Sequence, residues 1–270
     1  MKIPEMYQLS EAENEAIFQK IKSKIFQECQ SVESPVAIIF GGQPGSGKSK
    51  AVELSELELK HRGGVTTIIG DELRPYHPHH DRLMKLDDNT AALFTQYDAG
   101  RWVEKAITHA KSIRCNIIIE STMRVPNTVT RTIQELKEAG YRIEARALAV
   151  NEKLSWQGVL QRYENQRFYR GYGRMTPPEF HEAAYSGMLE SLHKIETEKL
   201  IDKVIVYKRG AVVLYENELE NGIWKHEPQA RATVEKERNR PWTIPEHLEY
   251  ANNFEILLNL IKKIGEKCFF

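Results

Sequence analysis

The octapeptide Gly42-Gln43-Pro44-Gly45-Ser46-Gly47-Lys48-Ser49 fills every defined position of the spacing G-x-x-x-x-G-K-[ST]. Glycines without a Cβ let successive backbone N–H groups converge on phosphate oxygens. A helix beginning near Lys48 points its positive end at the same anion. Lys48 then reaches the outer phosphates, and the Ser49 hydroxyl ligates Mg²⁺. Residues 42–49 are therefore expected to hold a nucleoside triphosphate, ATP or GTP, with Mg²⁺.

The acceptor of a phosphoryl group should lie beyond the carboxyl ends of neighbouring strands. One apolar run, Val65 to Ile69, ends at Gly70-Asp71; another, Ile117 to Ile119, ends at Glu120-Ser121-Thr122. Asp71 can take a proton from a substrate hydroxyl, or it can cap the next helix. Glu120 can face the substrate or the Mg²⁺ shell. Residues 162–174 carry Arg162, Arg167, Arg170 and Arg174 against the single acid Glu164. They read as a lid that brings arginines to the transferring phosphoryl group, hinged at Gly171 and Gly173. The alternative is a solvated basic loop for RNA. Histidines 77, 79 and 80 lack the i, i+4 spacing of a helical zinc site and read as a substrate-side loop.

These residues need a scaffold. Val36 to Phe40 is an unbroken apolar run before the glycines, the pattern of a buried parallel strand. Helical stretches over 50–60, 88–113, 127–139 and 154–168 alternate with strands over 65–69, 117–119 and 142–150. Such alternation predicts βαβ units, hence an α/β fold of the P-loop NTPase type: a parallel sheet flanked by helices. An amphipathic helix over 7–30, with Ser10 and Glu13 as a capping box, precedes it. Helix to about Leu200, a hairpin around Arg209-Gly210 and a helix over 254–264 follow. The polar stretch 216–245 shows no clear period. One domain over 1–270 is expected, with a core over about 31–215 and a helical C-terminal extension over 216–270.

Composition excludes other classes. The 270 residues are 41% hydrophobic and 28% charged, the balance of a globular chain rather than a disordered one. Lys plus Arg and Asp plus Glu are each 38, so no net charge draws the chain to nucleic acid or an acidic membrane. No apolar run is long enough to span a bilayer, and Met1 to Glu5 do not open a secretion signal. Cys29, Cys115 and Cys268 give neither a disulfide framework nor a metal spacing. A cytoplasmic location is expected.

The motifs together resemble the zeta toxin family, the kinase half of bacterial toxin–antitoxin pairs. The resemblance spans about residues 31–215. It rests on Val32-Glu33-Ser34-Pro35 before the strand, on Gly41 with the phosphate loop, and on Gly70-Asp71 with Arg74 and His77-Pro78. Glu104 standing sixteen positions before Glu120, then Gln161-Arg162-Tyr163-Glu164 and Arg174-Met175-Thr176-Pro177, complete it. Ile69, Leu73, Ser121 and residues 168–173 depart from the family pattern, all on the acceptor side. The resemblance implies ATP- and Mg²⁺-dependent phosphorylation of the 3′-hydroxyl of UDP-N-acetylglucosamine or a related UDP-sugar. It implies Asp71 as base, Lys48, Arg162 and Arg174 on the phosphates, and Glu104, Glu120, Thr122 and Arg74 around the UDP-sugar. It also implies an antitoxin partner covering the nucleotide site. A kinase of another small hydroxyl compound and an RNA-directed kinase are the competing readings.

Overall fold

The computed structural model describes residues 7–267. The N-terminal reading at Met1 to Glu5 and the third cysteine, Cys268, lie outside them. Helix α1, Glu11–Ile25, starts at the predicted capping box: Ser10 Oγ accepts from Glu13 N, and Glu13 Oε2 accepts from Ser10 N at 3.0 Å. It is shorter than the 7–30 expected because no apolar face continues past Phe26.

Strand β1, Val36–Gly41, leads into the phosphate loop and helix α2, Lys48–Lys60. Then come β2, Thr66–Ile69; a helical turn α3, Gly70–Leu73; α4, His80–Leu86; and α5, Ala91–Ile113. Next follow β3, Ile117–Glu120; α6, Pro126–Glu138; β4, Arg142–Ala149; α7, Glu152–Arg170; and α8, Pro178–Thr197. The chain closes with β5, Lys203–Lys208; β6, Val212–Glu220; β7, Ile223–Trp224; α9, Ala230–Asn239; and α10, Ile244–Lys267.

The seven strands form one sheet in the order β2-β3-β1-β4-β5-β6-β7. The first five run parallel, and β6 and β7 are antiparallel. Strand β1 is buried throughout, and its side chains alternate between two cores. Ala37 and Ile39 join Trp102, Ile133 and Leu192 on one face. Val36, Ile38 and Phe40 join Val52, Leu59 and Leu148 on the other. Sequential connections leave β1 in opposite directions, so a crevice opens at its carboxyl end. Register puts Glu120 opposite both Phe40 and Ile69, which aligns the ends of β1, β2 and β3.

Two features of the phosphate loop depend on distant segments. Gly45 has φ +76°, and a Cβ there would stand 1.9 Å from the Ser155 carbonyl oxygen of α7. Conversely, a Cβ on Gly158 would stand 2.5 Å from Gly45 O. Loop and helix thus meet backbone to backbone. Gln43, fully buried, donates to Val150 O at 2.8 Å and to Ser155 Oγ at 3.1 Å. Its Oε1 accepts from Arg238 NH2 at 3.0 Å. Arg238 belongs to α9, is itself buried, and lies with its guanidinium 3.9 Å from the Tyr185 ring centroid. The stretch that showed no period therefore supplies β7 and α9, and α9 props the loop from behind.

The lid reading of 162–174 needs correction. Residues through Arg170 continue α7, with Gly171 as its left-handed C-cap. A Cβ on Gly173 would meet Tyr163 O at 2.3 Å, so this glycine packs the following loop against α7 and is no hinge. Asp88 fastens that loop by accepting from Gly173 N and Tyr163 OH, each at 2.9 Å. Cys29 and Cys115, distant in sequence, meet as free thiols whose mutual hydrogen bond lowers the pKa of Cys29 and raises that of Cys115.

Gly158→Ala should push the loop off α7 at a cost of about 1–3 kcal/mol, the range for overpacking. A thermal midpoint lowered by several degrees, with weakened phosphate binding, is the expected result. Arg238→Met should leave the buried Gln43 carbonyl unpaired. Amides of residues 42–47 should then exchange hydrogen faster than in the wild type, and unchanged exchange would exclude the prop.

Candidate functional site

The site is built where β1, β2 and β3 end. Helix α2 begins at Gly47 with no side-chain cap and no acid in its first turn. Its first N–H groups are therefore free of side-chain acceptors and face the loop. Ser46 Oγ is buried without a partner beside them. These orphaned donors fit an anion, and the exposed Ser49 hydroxyl in the same turn fits a Mg²⁺ that otherwise takes phosphate and water oxygens.

Lys48 is buried, and its Nζ donates to Gly42 O at 2.8 Å. Glu120 Oε1 stands 3.8 Å away. Burial lowers the amine's pKa, while the charges of Glu120 and Asp71 oppose that shift. The amine is thus parked on a neutral carbonyl, a partner that phosphate oxygens can replace.

Asp71 is the second residue of α3 and caps nothing. Its Oδ1 accepts from Arg74 Nε at 3.1 Å, and its Oδ2 from Arg174 NH1 at 2.5 Å. Burial in the cleft alone would raise its pKa, but Arg174, Arg74 and Arg162 outweigh that and hold it well below the usual carboxylate range. Its side chain is nevertheless 42% solvent-exposed. Water screens these pairs, so the direction of the shift matters here and not an energy.

Arg74 also donates to Ala92 O and to Thr95 Oγ1, the latter at 3.2 Å. It is tied to α5 on one side and to Asp71 on the other. Arg162 points from α7 to Thr176 Oγ1 at 2.8 Å, and its Nε is buried without a partner. Burial and the nearby Arg174 lower Arg162 to about 10. Gln166 Oε1 accepts from the Arg174 backbone at 2.8 Å and sets the turn that aims this arginine inward. Lys48, Arg74, Arg162 and Arg174 thus face two carboxylates, Asp71 and Glu120, an excess of two positive charges. A cleft with that balance suits a substrate carrying phosphates.

Other expected residues are placed differently. Thr122 is half-buried in the loop after β3, close in sequence to Glu120. Glu104 is exposed and lines a shallow groove with Phe18, Gln19 and Lys22 of α1. The neighbouring Val103 is the residue of α5 that faces Gly70. One step along a helix turns a side chain by about 100°, which carries Glu104 from the crevice toward α1. His77 does lie in the short loop before α4, but its side chain does not face the crevice. It is buried, with Nε2 3.0 Å from Tyr7 O and 3.5 Å from Asp98. Asp98 in turn accepts from Leu9 N and Asn14 Nδ2, which ties the start of α1 to α5.

Most of the basic run is engaged by the fold. Arg162 and Arg174 turn inward, and Arg167 pairs with Glu164 at 3.1 Å. Arg170 alone of the four stays exposed, which leaves little of the surface patch an RNA reading required. Thr176, Gln166 and Asp88 are positioning residues that sequence reasoning missed. Asp88 lies 85 positions from the glycine it holds, so no local pattern signals it.

Comparison with known proteins finds relatives of this sequence and of this fold. The Streptococcus pneumoniae serotype 4 toxin PezT is 30% identical over 189 residues, covering 70% of this chain and 74% of PezT. Toxin zeta of Enterococcus hirae is 29% identical over 218 residues, covering 80% and 74%. A chain of the solved PezAT chromosomal toxin–antitoxin system of Streptococcus pneumoniae superposes with TM-score 0.79 at 21% identity, covering 96% of this chain and 99% of that one. A chain of the AvrRxo1-ORF1:-ORF2 complex with ATP gives TM-score 0.56 at 13% identity, covering 86% and 73%. Among the described residues, no helix is long and apolar enough to cross a membrane. The Zeta toxin family model matches residues 20–220, and with the phosphate loop, Asp71 and the two inward arginines gathered at one sheet edge, the chain belongs to that family.

Proposed function

We propose that the chain is the toxin of a toxin–antitoxin pair, a kinase that moves the γ-phosphoryl group of ATP to the 3′-hydroxyl of UDP-N-acetylglucosamine or a related UDP-sugar. The observation that carries this reading is one ionised carboxylate, Asp71, held at the strand edge by arginines beside the phosphate-loop lysine. The family relatives, all toxins, support the toxin role, and the cationic excess of the cleft supports a substrate that brings its own phosphates.

ATP fits the loop through the orphaned Ser46 hydroxyl and the uncapped start of α2. Ser49, with Glu120 near by, would hold Mg²⁺, whose chemistry is to neutralise charge on the phosphate oxygens. Lys48 leaves Gly42 O for those oxygens. Arg174, drawn to the transferring group, loosens its hold on Asp71, and Arg162 leaves Thr176 Oγ1 for the same group. Asp71 then orients the sugar hydroxyl and accepts its proton late, as suits a loose transition state that needs little basicity. Arg74 stays behind as the anchor that aims Asp71. Glu120, Thr122 and the loop after β3 line the acceptor side. Glu104 contributes there only if α1 and α5 form part of the sugar pocket. An antitoxin covering the loop would block the site.

Incubation with ATP and a panel of UDP-sugars, with products weighed by mass spectrometry, tests the substrate. Asp71→Asn should lower sugar-dependent ADP release by about 10²–10⁴-fold, the usual worth of a general base. Nucleotide binding should persist, and full turnover in this variant would remove Asp71 from its role. The depressed pKa also sets the pH response. The base form of Asp71 persists above the folded pKa and is lost only as pH falls through it. Corrected for substrate phosphate ionisation, kcat/KM should therefore show no acidic limb from Asp71 even as pH falls through about 4, where an ordinary aspartate titrates. A limb centred at about 4 or above would contradict the arginine pairing.

A further inference from the structure

A cavity of about 520 Å³ opens beside the phosphate loop on the side away from Asp71. That volume falls within the range of small-molecule sites. Its inner edge is Gly47 and Lys50, at the start of α2. A triphosphate whose outer end meets Lys48 and Asp71 therefore has its remaining atoms directed into this space. Arg209, from the turn after β5, leans over the same edge, with its Cγ 3.9 Å from where a Gly47 Cβ would stand.

The outer wall comes from the C-terminal extension, beyond residue 220 where the family model stops matching. It is rigid. Arg240 donates to Glu237 through Nε and NH2, each at 2.9 Å, and to Glu246 through NH1 at 2.8 Å. This double fork fastens the end of α9 to the start of α10. Thr243 adds a backbone hydrogen bond to Glu246 at 2.7 Å. Trp242 is held between these two anchors. Its ring lies against Tyr250 and His247, with centroids 5.1 and 5.3 Å away, and it lines the cavity. Glu249, on the same wall, has no ion-pair or hydrogen-bond partner among the described residues. The wall thus presents one ordered aromatic ring and one free carboxylate, close to a loop that binds phosphates. A ring stacks on a base, and a carboxylate accepts from an exocyclic amino group.

We infer that Trp242 and Glu249 form the nucleoside subsite of the phosphate loop, taking a purine that bears an exocyclic amino group. This rests on the kinase reading above and adds the residues that choose the nucleotide. Titration calorimetry of the full chain with ATP, inosine triphosphate and inorganic tripolyphosphate, each with Mg²⁺, tests it. The wild type should bind ATP more tightly than tripolyphosphate. Trp242→Ala should lose ATP affinity by about tenfold or more, the worth of one stacked base, with tripolyphosphate binding unchanged. Trp242→Phe should recover most of the loss, which separates stacking from misfolding. Glu249→Gln should bring the preference for ATP over inosine triphosphate to parity. Unchanged ATP affinity in Trp242→Ala, or equal loss of ATP and tripolyphosphate binding, would overturn the subsite. A wild type that binds tripolyphosphate but gains nothing from the nucleoside would overturn it while leaving the phosphate loop intact. A wild type that binds none of the three would overturn the kinase reading itself.

Discussion

The backbone contact between Gly45 and Gly158 constrains the rest of this molecule. Any side chain at either position would occupy space already filled by the other segment's carbonyl. The phosphate loop can therefore lie on α7 only as bare peptide. Once it does, Arg162 follows one helical turn beyond Gly158 and arrives beside the crevice. Close packing so converts a steric allowance into a catalytic distance. The same helix continues to Arg170 and sends back the loop that carries Arg174. A single helix-on-loop contact thus aims both inward arginines.

Electrostatics then does what packing alone cannot. Four cations around two carboxylates repel one another, and burial penalises Lys48, Arg74 and Arg162. Asp71 is the group that makes the arrangement tolerable, since Arg74 and Arg174 both bind it. The excess positive charge still lacks an anion in the protein itself. Under the proposed reaction, phosphate oxygens complete the balance, and the groups that relax toward them include the ones a transferring phosphoryl needs. Partners exchange, while the backbone that holds them stays fixed by Gln43, Arg238 and Gly158.

Much of this could be read from the chain before its shape was known, and the reason is locality. The phosphate loop, its preceding strand and following helix lie within some twenty-five residues, so spacing alone signals them. Asp71 and Glu120 were legible because parallel strands end at one edge, and an acid just past an apolar run must stand there. What failed was non-local. The helix expected over 154–168 is there, but the lid read into 162–174 is not, because Gly158 and Gly173 pack that stretch against its neighbours and spacing does not encode such contacts. Glu104 sits at the right separation from Glu120, but its side chain is set by where α5 turns, which spacing does not encode. His77 appeared in a polar run and proved to be buried by contacts with Tyr7 and Asp98.

The C-terminal stretch was opaque for a different reason. Its residues have little periodicity because many of the contacts that place it are polar and reach distant elements. Glu196 of α8 accepts from Ala230 N and from Tyr215 OH, and Trp224 Nε1 donates to Glu196 O. One glutamate thereby folds β6, β7 and the start of α9 around itself. From there α9 runs toward the phosphate loop and delivers Arg238 to Gln43. A deletion of this extension would accordingly cost more than surface. It would remove the partner of a buried amide inside the loop, and it would open the outer wall beside Gly47. Polar groups with distant, specific partners give no hydrophobic pattern to read, yet they tie the far end of this chain to the place where its chemistry begins.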